Sequence, residues 1–361
     1  MLKRLPELDG VRAIAVLFVF FSHTSGRDMS LHPSLNFAGI GHVGVYLFFC
    51  LSAFLISMRL FTEEFNAKSV KRFYTKRIFR ILPLYYSVVI VVFFWQLISQ
   101  QYNEHYLFVS HGWTGFFQHL FMYRGDGVFW SVVAEEQFYI LVPLWVYLLL
   151  RFRWAAFVMF AGVALLNGVL YMCKNIHWPL HIDWIKYITT NDRTSGNYLD
   201  IFITGITFVW IFVSYRPFFD KNKKVIIAVA NILFISVSLL TLILVSESFL
   251  WFRQPFYDFR FLSLMYAFVF SLFLISVYLG NPLNRILQWK WLCYIGLIGF
   301  SVYLLHMPVF AFVNTYFDLP SWARFFISSG LLLAVASLTY YFIEKPFIRI
   351  SYQLINKFKW N

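Results

Sequence analysis

An arginine and a histidine occur in the first apolar segment of the chain, and their types and spacing could do chemistry. His23 follows Arg12 by 11 positions, which in an α-helix comes within about 20° of three full turns. Both side chains therefore project from one helix face, about 16 Å apart along the axis, and Asp9 lies one turn before Arg12, within pairing distance. The pattern predicts a guanidinium that binds an anion and an imidazole that accepts a proton. The alternative is a snorkelling arginine and a histidine that bonds a neighbouring helix.

Two adjacent carboxylates, Glu135 and Glu136, stand in an apolar segment that opens at Trp130. Neighbouring residues of a helix diverge by about 100°, so the two side chains cannot face one cavity equally. We expect one carboxylate to cap the helix N-terminus, where its charge suits the helix dipole, and the other to orient a histidine or bind a substrate hydroxyl. The alternative is a pair of side chains that hydrogen-bond between helices.

A late apolar segment carries His306 directly before Met307 and Pro308. A proline after a polar residue predicts a kinked or broken helix whose freed backbone groups line a cavity. Structural and functional roles for His306 are equally open on the sequence, because an intramembrane histidine either bonds a neighbouring helix or serves a site.

The densest basic cluster of the chain follows the second apolar segment and contains Lys68, Lys71, Arg72, Lys76, Arg77 and Arg80. Arg77 and Arg80 are three residues apart, on one helical face, and arginines bind phosphate groups through paired hydrogen bonds. The cluster holds more basic residues than membrane orientation requires. It predicts a site for a phosphorylated ligand, and a surface patch for anionic lipid is the alternative.

The remaining histidines form weaker patterns. His177 and His181 are four residues apart, but an intervening proline argues against a regular helix, so no metal site is predicted. Three further histidines show no ligand spacing: His105, His111 and His119. No motif typical of a hydrolase nucleophile, a phosphate-binding loop or a zinc protease occurs, and we expect no permanently bound cofactor.

The composition of the chain sets the environment of these residues. Hydrophobic residues make up 60% of the 361 residues, charged residues only 13%, and the mean hydropathy is +0.67. About 25% charged residues is usual in a soluble domain, so soluble, disordered and disulfide-scaffold classes are excluded. The net charge of +13 comes from short basic runs between apolar segments, which indicates membrane orientation and no nucleic-acid partner. The predicted fold is an all-α, polytopic transmembrane helical bundle surrounded by membrane lipids.

Ten apolar segments are long enough to span a bilayer, which takes about 20 residues each. They lie at 8–24, 41–58, 80–99, 130–150, 154–172, 198–215, 225–246, 259–280, 292–313 and 323–343. The side that holds the N-terminus carries 22 of the 30 Lys and Arg residues. The positive-inside rule then places both termini in the cytoplasm, with residues 59–80 on that side and residues 25–40, 100–129 and 173–197 outside. No repeat or composition break divides the chain, so residues 1–361 form a single predicted domain.

Six segments, in order along the whole chain, resemble the motifs of the acyltransferase-3 family of integral membrane proteins. They are LDGVRAIAVLFVFFSH at 8–23, GVYLFFCLSAFLI at 44–56, FYTKRIFRILPLYY at 73–86, WSVVAEEQFYILVP at 130–143, IGFSVYLLHMPVF at 298–310 and YYFIEKPF at 340–347. Ala53 replaces a usual glycine and Val133-Ala134 replace a usual Ser-Val pair, which spares the charged positions. Because the chain ends soon after its last predicted helix, we expect it to lack the extracytoplasmic SGNH hydrolase-like domain of some members.

The resemblance implies ten core helices, an acyl-coenzyme A donor (most often acetyl) as co-substrate, and a carbohydrate hydroxyl as acceptor, commonly on a surface polysaccharide such as O-antigen or its lipid-linked precursor. It also implies a place in the bacterial cytoplasmic membrane. Carried onto this chain, the implicated residues are His23, Arg12, Glu136 and Glu135 for catalysis, Arg77, Arg80 and Arg12 for the donor, and Trp130 and His306 for the substrate.

Two function classes remain open on the sequence. The first is a membrane O-acyltransferase in which His23 removes the hydroxyl proton and Arg12 aligns the donor, with direct transfer favoured over an acyl-His23 intermediate. The second is a transporter or export component in which Arg12, His23 and Glu136 form a proton relay. The basic cluster favours the enzyme, because a transporter more often shows repeat symmetry between its halves.

Overall fold

The computed structural model describes residues 5–30, 32, 37–99, 112–123, 125–159, 161–162, 165, 198–245 and 260–360. Within these residues every regular element is helical, which confirms the all-α class. Four histidines of the sequence analysis lie outside the described residues: His105, His111, His177 and His181. The same holds for residues 173–197 and for the first part of the predicted outer segment at 100–129.

The helices of the described residues follow one another along the chain. They are α1 (Pro6–Ser25), α2 (Gly41–Thr62), α3 (Ala67–Ser99), α4 (Gly112–Leu120), α5 (Phe129–Arg151), α6 (Leu199–Ser214), α7 (Arg216–Lys221), α8 (Lys223–Val245), α9 (Arg260–Tyr278), α10 (Asn284–Leu287), α11 (Lys290–Leu297), α12 (Gly299–Tyr316), α13 (Ser321–Thr339) and α14 (Lys345–Lys357). A π-helical turn, Tyr340–Glu344, joins α13 to α14, so the last elements form one continuous rod.

Among the described residues, six helices are long and apolar enough to cross a membrane: α1, α2, α3, α5, α8 and the rod that begins with α13. The pair α11 and α12 passes the same test together, and α6 and α9 are shorter apolar helices. Each of these elements coincides with one predicted span, and the predicted span at 154–172 lies mostly outside the described residues. The chain is thus a polytopic helical membrane bundle, while the count of ten spans and the cytoplasmic termini stay predictions.

The third helix begins 13 residues before the predicted start of its span, at Ala67 instead of residue 80. A reciprocal cap holds this start, because the Asn66 side chain accepts the Ser69 N–H at 2.9 Å and the Ser69 hydroxyl accepts the Asn66 N–H at 3.0 Å. The basic cluster is therefore part of a rigid helix. Arg77 and Arg80 lie on one face of it, as their spacing predicts.

The ninth predicted span is broken, but not at Pro308, where the sequence predicts a kink or a break. The chain bends by 71° between α11 and α12, at Ile298, and α12 continues through Pro308. Gly296 and Gly299 flank the bend, and glycine lets a helix end and restart at low steric cost. The bend brings the start of α12 against the first helix.

The first helix lies at the centre of the bundle, against α2, α11 and α12. Its backbone touches that of α11 and of the preceding turn: a Cβ on Gly296 would lie 1.8 Å from the Asp9 carbonyl oxygen, and one on Gly10 would lie 2.0 Å from the Leu287 carbonyl oxygen. Only glycine permits such close contact between helices. The position of Asp9, and with it that of Arg12, is therefore set by backbone packing.

Two groups of contacts mark opposite ends of the bundle. Where α1 begins, Gln288 donates a hydrogen bond to Glu7 at 2.9 Å, and Arg72 donates one to the carbonyl of Trp360 at 3.2 Å. Where α1 ends, the loop that follows it bonds the start of α13 through Ser321 at 2.8 Å. The basic start of α3 and the C-terminal helix therefore lie at the same end as the start of α1, as one cytoplasmic face requires.

We predict that the α3 end of the bundle is cytoplasmic and that the loop between α12 and α13 is outside. In a variant without its three cysteines, an impermeant maleimide should label Asp318→Cys in intact cells and Lys68→Cys only after lysis, since both positions are exposed. Labelling of Lys68→Cys in intact cells, with Asp318→Cys protected, would reverse the orientation.

Candidate active site

The guanidinium of Arg12 lies inside the bundle, with 8% of the residue exposed. It forms an ion pair with Asp9 at 2.6 Å, and the same nitrogen, Nη1, lies 3.4 Å from the Gly296 carbonyl. The predicted pairing of Asp9 with Arg12 is therefore present. A guanidinium has five N–H donors, so these two acceptors leave Arg12 with capacity for a further anion.

Two arginines of α3 join Arg12 in a cluster, although the sequence places them on a different helix. Arg77 and Arg80 lie close enough for their charges to act on Arg12. Arg77 stands over the ring of Tyr139, with 5.2 Å between its guanidinium carbon and the ring centroid. In the described part of the chain, neither Arg77 nor Arg80 forms an ion pair. Three gathered guanidinium groups produce a positive potential that suits a phosphate group.

A buried carboxylate, Glu344, borders this arginine cluster from the π-helical turn and is 2% exposed. It accepts a hydrogen bond from Ser301, whose oxygen accepts one from Thr339 at 3.0 Å. Arg80 and Arg12 lie near enough to stabilise its charge. Sequence reasoning assigned Glu344 no role, although an acidic residue inside an apolar segment is a signal for one. π-Helical turns also occur frequently at functional sites.

The adjacent carboxylates of α5 lie in different surroundings, as their divergence around the helix requires. Glu135 is 4% exposed and accepts hydrogen bonds from Ser52 and Tyr139. Glu136 has one buried oxygen, Oε1, without a hydrogen-bond partner among the described residues, and the guanidinium of Arg77 lies near its charge. Glu135 therefore has a structural network of its own, while Glu136 keeps an acceptor available.

The expectation that one of these carboxylates caps the N-terminus of α5 is wrong. The helix begins at Phe129, so Glu135 and Glu136 lie beyond its first turn, where the backbone N–H groups already bond within the helix. Among the described residues, no hydrogen bond joins either carboxylate to His23. The structure therefore does not bring the predicted carboxylate partner to the histidine.

The partner of His23 is instead a second histidine. His23 is partly exposed near the end of α1, and its ring centroid lies 5.1 Å from that of His306, with the ring planes tilted by 35°. His306 is 1% exposed on α12. Within the described residues, no group of three His, Cys, Asp or Glu side chains could hold a metal ion. The pair therefore has no metal-binding third member in this part of the chain.

A cavity that is partly open to solvent, about 390 Å³ of space between the atoms, lies along α1. One wall is the face of α1 between Arg12 and His23, formed by Ala15, Val16 and Val19. The opposite walls come from α2, α5 and α12 and include Gly44, Phe48, Ser131, Glu135 and Tyr303. Most of these side chains are apolar, which favours an uncharged occupant.

Tyr303 and Ser131 connect α12 to α5 at the edge of this cavity. The Ser131 hydroxyl donates a hydrogen bond to the Tyr303 oxygen at 2.7 Å. Sequence reasoning missed both residues, because serine and tyrosine are common in apolar helices and carry no charge that would single them out. Their bond fixes the wall of α12 that also carries His306.

Trp130, which the family resemblance assigns to the substrate, lies in an aromatic cluster. It is 9% exposed. Its ring lies 4.8 Å from that of Tyr198 between centroids, with the planes tilted by 32°, and forms a T-shaped pair with Phe49 at 6.1 Å. This packing accounts for much of the indole surface. Contact between Trp130 and a substrate stays a prediction.

Charged side chains buried among long apolar helices define the chain as an integral membrane protein with a candidate site inside the bundle. Within that class the chain belongs to the acyltransferase-3 family, whose acyltransferase domain matches residues 5–341. The match covers nearly the whole chain and confirms the resemblance carried by the six motifs.

Several bacterial O-acetyltransferases are similar to the chain at low identity. The peptidoglycan O-acetyltransferase OatA of Listeria monocytogenes is 26% identical over 99% of this chain and 57% of its own length. The O-acetyltransferase OatA of Staphylococcus aureus is 26% identical over 95% of this chain and 57% of its own length. A putative O-acetyltransferase of Staphylococcus aureus, SACOL0978, is 28% identical over 98% of this chain and 59% of its own length. The chain thus spans less than two thirds of these relatives, and no solved structure gives a significant match.

The two carboxylates of α5 should respond differently to substitution. Glu135→Ala leaves the hydroxyls of Ser52 and Tyr139 buried without an acceptor, at about 1–3 kcal/mol each, so it should lower the thermal unfolding midpoint in detergent, and Glu135→Gln should restore part of the loss. Glu136→Gln is the matched control, because it removes no hydrogen bond among the described residues, and it should unfold like wild type. Equal midpoints for Glu135→Ala and wild type would contradict the assignment.

Proposed function

We propose that the protein is a membrane O-acyltransferase that moves an acetyl group from acetyl-coenzyme A, supplied from the cytoplasm, to a hydroxyl of a carbohydrate on the other side of the membrane. One observation carries the proposal: the face of α1 that lines a cavity has three arginines near one end and a pair of histidines near the other. The family of the chain and the O-acetyltransferase names of its relatives support the same reaction.

The arginine cluster binds the phosphate groups of the donor. Guanidinium groups make charge-assisted, bidentate hydrogen bonds to phosphate oxygens, and Arg77 and Arg80 lie near Arg12. The pantetheine arm of coenzyme A is extended and uncharged, which suits the apolar walls. Because His23 lies about 16 Å beyond Arg12 along the helix axis, a donor held at the arginines carries its thioester toward the histidine pair. Acetyl-coenzyme A is thus a co-substrate, and no cofactor stays bound.

His23 acts as the general base of the transfer. Its imidazole takes the proton of the acceptor hydroxyl while the hydroxyl oxygen bonds to the carbonyl carbon of the thioester. The carbon–sulfur bond then breaks, and the coenzyme A thiolate leaves and takes up a proton. Glu136, with its unpartnered oxygen, is placed to bind a second hydroxyl of the acceptor. Transfer is direct, in one complex of enzyme, donor and acceptor.

The acceptor is a carbohydrate of the bacterial cell surface, and the enzyme works in the cytoplasmic membrane. One relative is named for peptidoglycan, whereas the family resemblance also includes O-antigen polysaccharide and lipid-linked precursors. Peptidoglycan strands and an O-antigen polysaccharide are therefore the two acceptors to compare. Mass spectrometry of both glycans, from cells with and without the gene, identifies the one that gains acetyl groups.

A transporter with a proton relay through Arg12, His23 and Glu136 is the other candidate, and no contact among the described residues favours it. No hydrogen bond joins Glu136 to His23 there. A transporter would leave acetyl-coenzyme A unconsumed. Release of free coenzyme A by the purified protein, dependent on added glycan, therefore separates the two functions.

We predict that His23→Ala abolishes acetyl transfer, because a positioned base contributes typically about 10²–10⁴-fold to the rate. The measurement is incorporation of labelled acetyl from acetyl-coenzyme A into glycan by purified protein, with folding checked by size-exclusion chromatography. His32→Ala, a histidine on the loop after α1, is the control and should keep its activity. Substantial transfer by a folded His23→Ala variant would contradict the base assignment.

The same assay without acceptor tests the direct route. Wild-type protein incubated with labelled acetyl-coenzyme A alone should carry no covalent label. A label mapped to His23 by mass spectrometry would keep the residue but make the reaction a two-step transfer through an acyl-imidazole.

We predict that Arg77→Ala/Arg80→Ala weakens the binding of acetyl-coenzyme A at least tenfold in calorimetric titrations. Arg77→Lys keeps the charge but loses the planar pair of donors, so it should weaken binding by less. Lys68 is an exposed residue of the same basic cluster, on a different face of α3 from Arg77 and Arg80. Lys68→Ala should therefore bind acetyl-coenzyme A like wild type. Unchanged affinity in the folded double variant would make the cluster a lipid patch instead.

A further inference from the structure

The His306 ring hydrogen-bonds the backbone of its own helix, which indicates which of its nitrogens carries the proton. Its Nδ1 atom lies 2.5 Å from the carbonyl oxygen of Tyr303, one turn earlier on α12. A carbonyl oxygen only accepts hydrogen bonds, so the neutral ring carries its proton on Nδ1. The second nitrogen, Nε2, is therefore an acceptor with a lone pair.

This Nε2 atom is buried and has no hydrogen-bond partner in the described part of the chain. A buried acceptor without a donor is unfavourable, and native structures contain few of them. Such an atom in a candidate active site therefore points to a donor that arrives when the site works. The donor is either a hydroxyl of the substrate or a group on a side chain that lies against His306.

Among the rings that lie against His306, that of His23 is the nearest, with 5.1 Å between the centroids. The ring of Phe310 lies 5.6 Å away and has no N–H or O–H group. Tyr303 accepts the hydrogen bond from Ser131, so its own O–H proton is a second candidate donor. Arg27 donates from Nη1 toward the carbonyl of His23 at 3.4 Å, and its other N–H groups are a third. The shortest ring separation favours the imidazole of His23.

The distance between the two imidazoles matches a shared hydrogen bond. An N–H···N bond is about 3 Å long, which separates the centroids of two bonded rings by about 5 Å. The observed centroid separation is 5.1 Å. Since His23 is partly exposed, its ring has room to turn until one nitrogen faces Nε2 of His306.

We propose that His306 is the positioning residue of the site: its Nε2 atom accepts a hydrogen bond from one nitrogen of His23 and so aims the other, unprotonated nitrogen at the acceptor hydroxyl. This inference rests on the proposed function, because it names the group that orients the proposed base. During transfer His23 takes the hydroxyl proton on the nitrogen that faces the acceptor and keeps its bond to Nε2. No proton passes to His306.

A neutral partner suits this position in the bundle. In serine hydrolases a carboxylate orients the catalytic imidazole. A carboxylate at the position of His306 would place a charge in an apolar region even before the reaction starts. The imidazole of His306 supplies the same acceptor without that charge. Contact between His306 and the substrate, as the sequence suggests, would instead leave His23 without an orienting group among the described residues.

Two isosteric substitutions separate the two nitrogens of His306. In His306→Asn the amide nitrogen takes the place of Nδ1 and keeps the bond to Tyr303, but nothing replaces Nε2. In His306→Gln the amide oxygen can take the place of Nε2 and accept the N–H of His23. We expect the Asn variant to lose about 100-fold in kcat, with KM for acetyl-coenzyme A and for oligomers of N-acetylglucosamine unchanged, and the Gln variant to recover most of the loss.

Three results would overturn the proposal. The first is a raised KM for the oligomer with unchanged kcat in His306→Asn, which would indicate substrate contact. The second is an equal loss of kcat in the folded Asn and Gln variants. The third is full activity of the Asn variant. If wild-type protein transfers acetyl and His23→Ala does not, any of these results defeats this inference and leaves the proposed function intact.

Nitrogen NMR tests the hydrogen bond without an assay of activity. In protein labelled with ¹⁵N-histidine, the unprotonated Nε2 resonance of His306 should show the shift of a hydrogen-bonded acceptor. It should move toward the value of a free imidazole nitrogen in His23→Ala and stay in place in His32→Ala. An unchanged resonance in His23→Ala would contradict the proposal even if the protein transferred no acetyl group.

Discussion

The ion pair between Arg12 and Asp9 is the interaction on which the rest of the site depends. An arginine inside an apolar bundle is costly unless it is paired, and its loss of hydration is offset here by a carboxylate at 2.6 Å. The carboxylate in turn is held because α1 touches the backbone around Gly296 and Leu287. Backbone packing therefore fixes the charge that anchors one end of the cavity.

The first helix sets the distance between the arginine cluster and the histidine pair. A rigid α-helix keeps Arg12 and His23 on one face at a constant separation, and the small and branched residues between them leave a cavity along that face. The arginines from α3 and the histidine from α12 join it at opposite ends. A ligand that bridges the ends must be anionic at one end and uncharged along its length.

The bends and caps of neighbouring helices decide which side chains lie near α1. The cap at Asn66 extends α3 so that its basic residues continue in helical register to the cavity, and the 71° bend before α12 turns His306 toward α1. The π-helical turn at Glu344 places a carboxylate beside the arginines. Each of these features belongs to one stretch of the chain. Its effect on the site appears only when the helices pack against one another.

The sequence by itself determined the class of this protein, its apolar helices and the face shared by Arg12 and His23, because hydropathy and helical spacing are local properties of the chain. It also singled out Arg77 and Arg80, since paired arginines near an apolar segment are conspicuous. Only the tertiary structure decided that Glu135 bonds Ser52 and Tyr139 and that His306 is the neighbour of His23. Those choices depend on how helices far apart in sequence rotate and bend against one another, which no local spacing records.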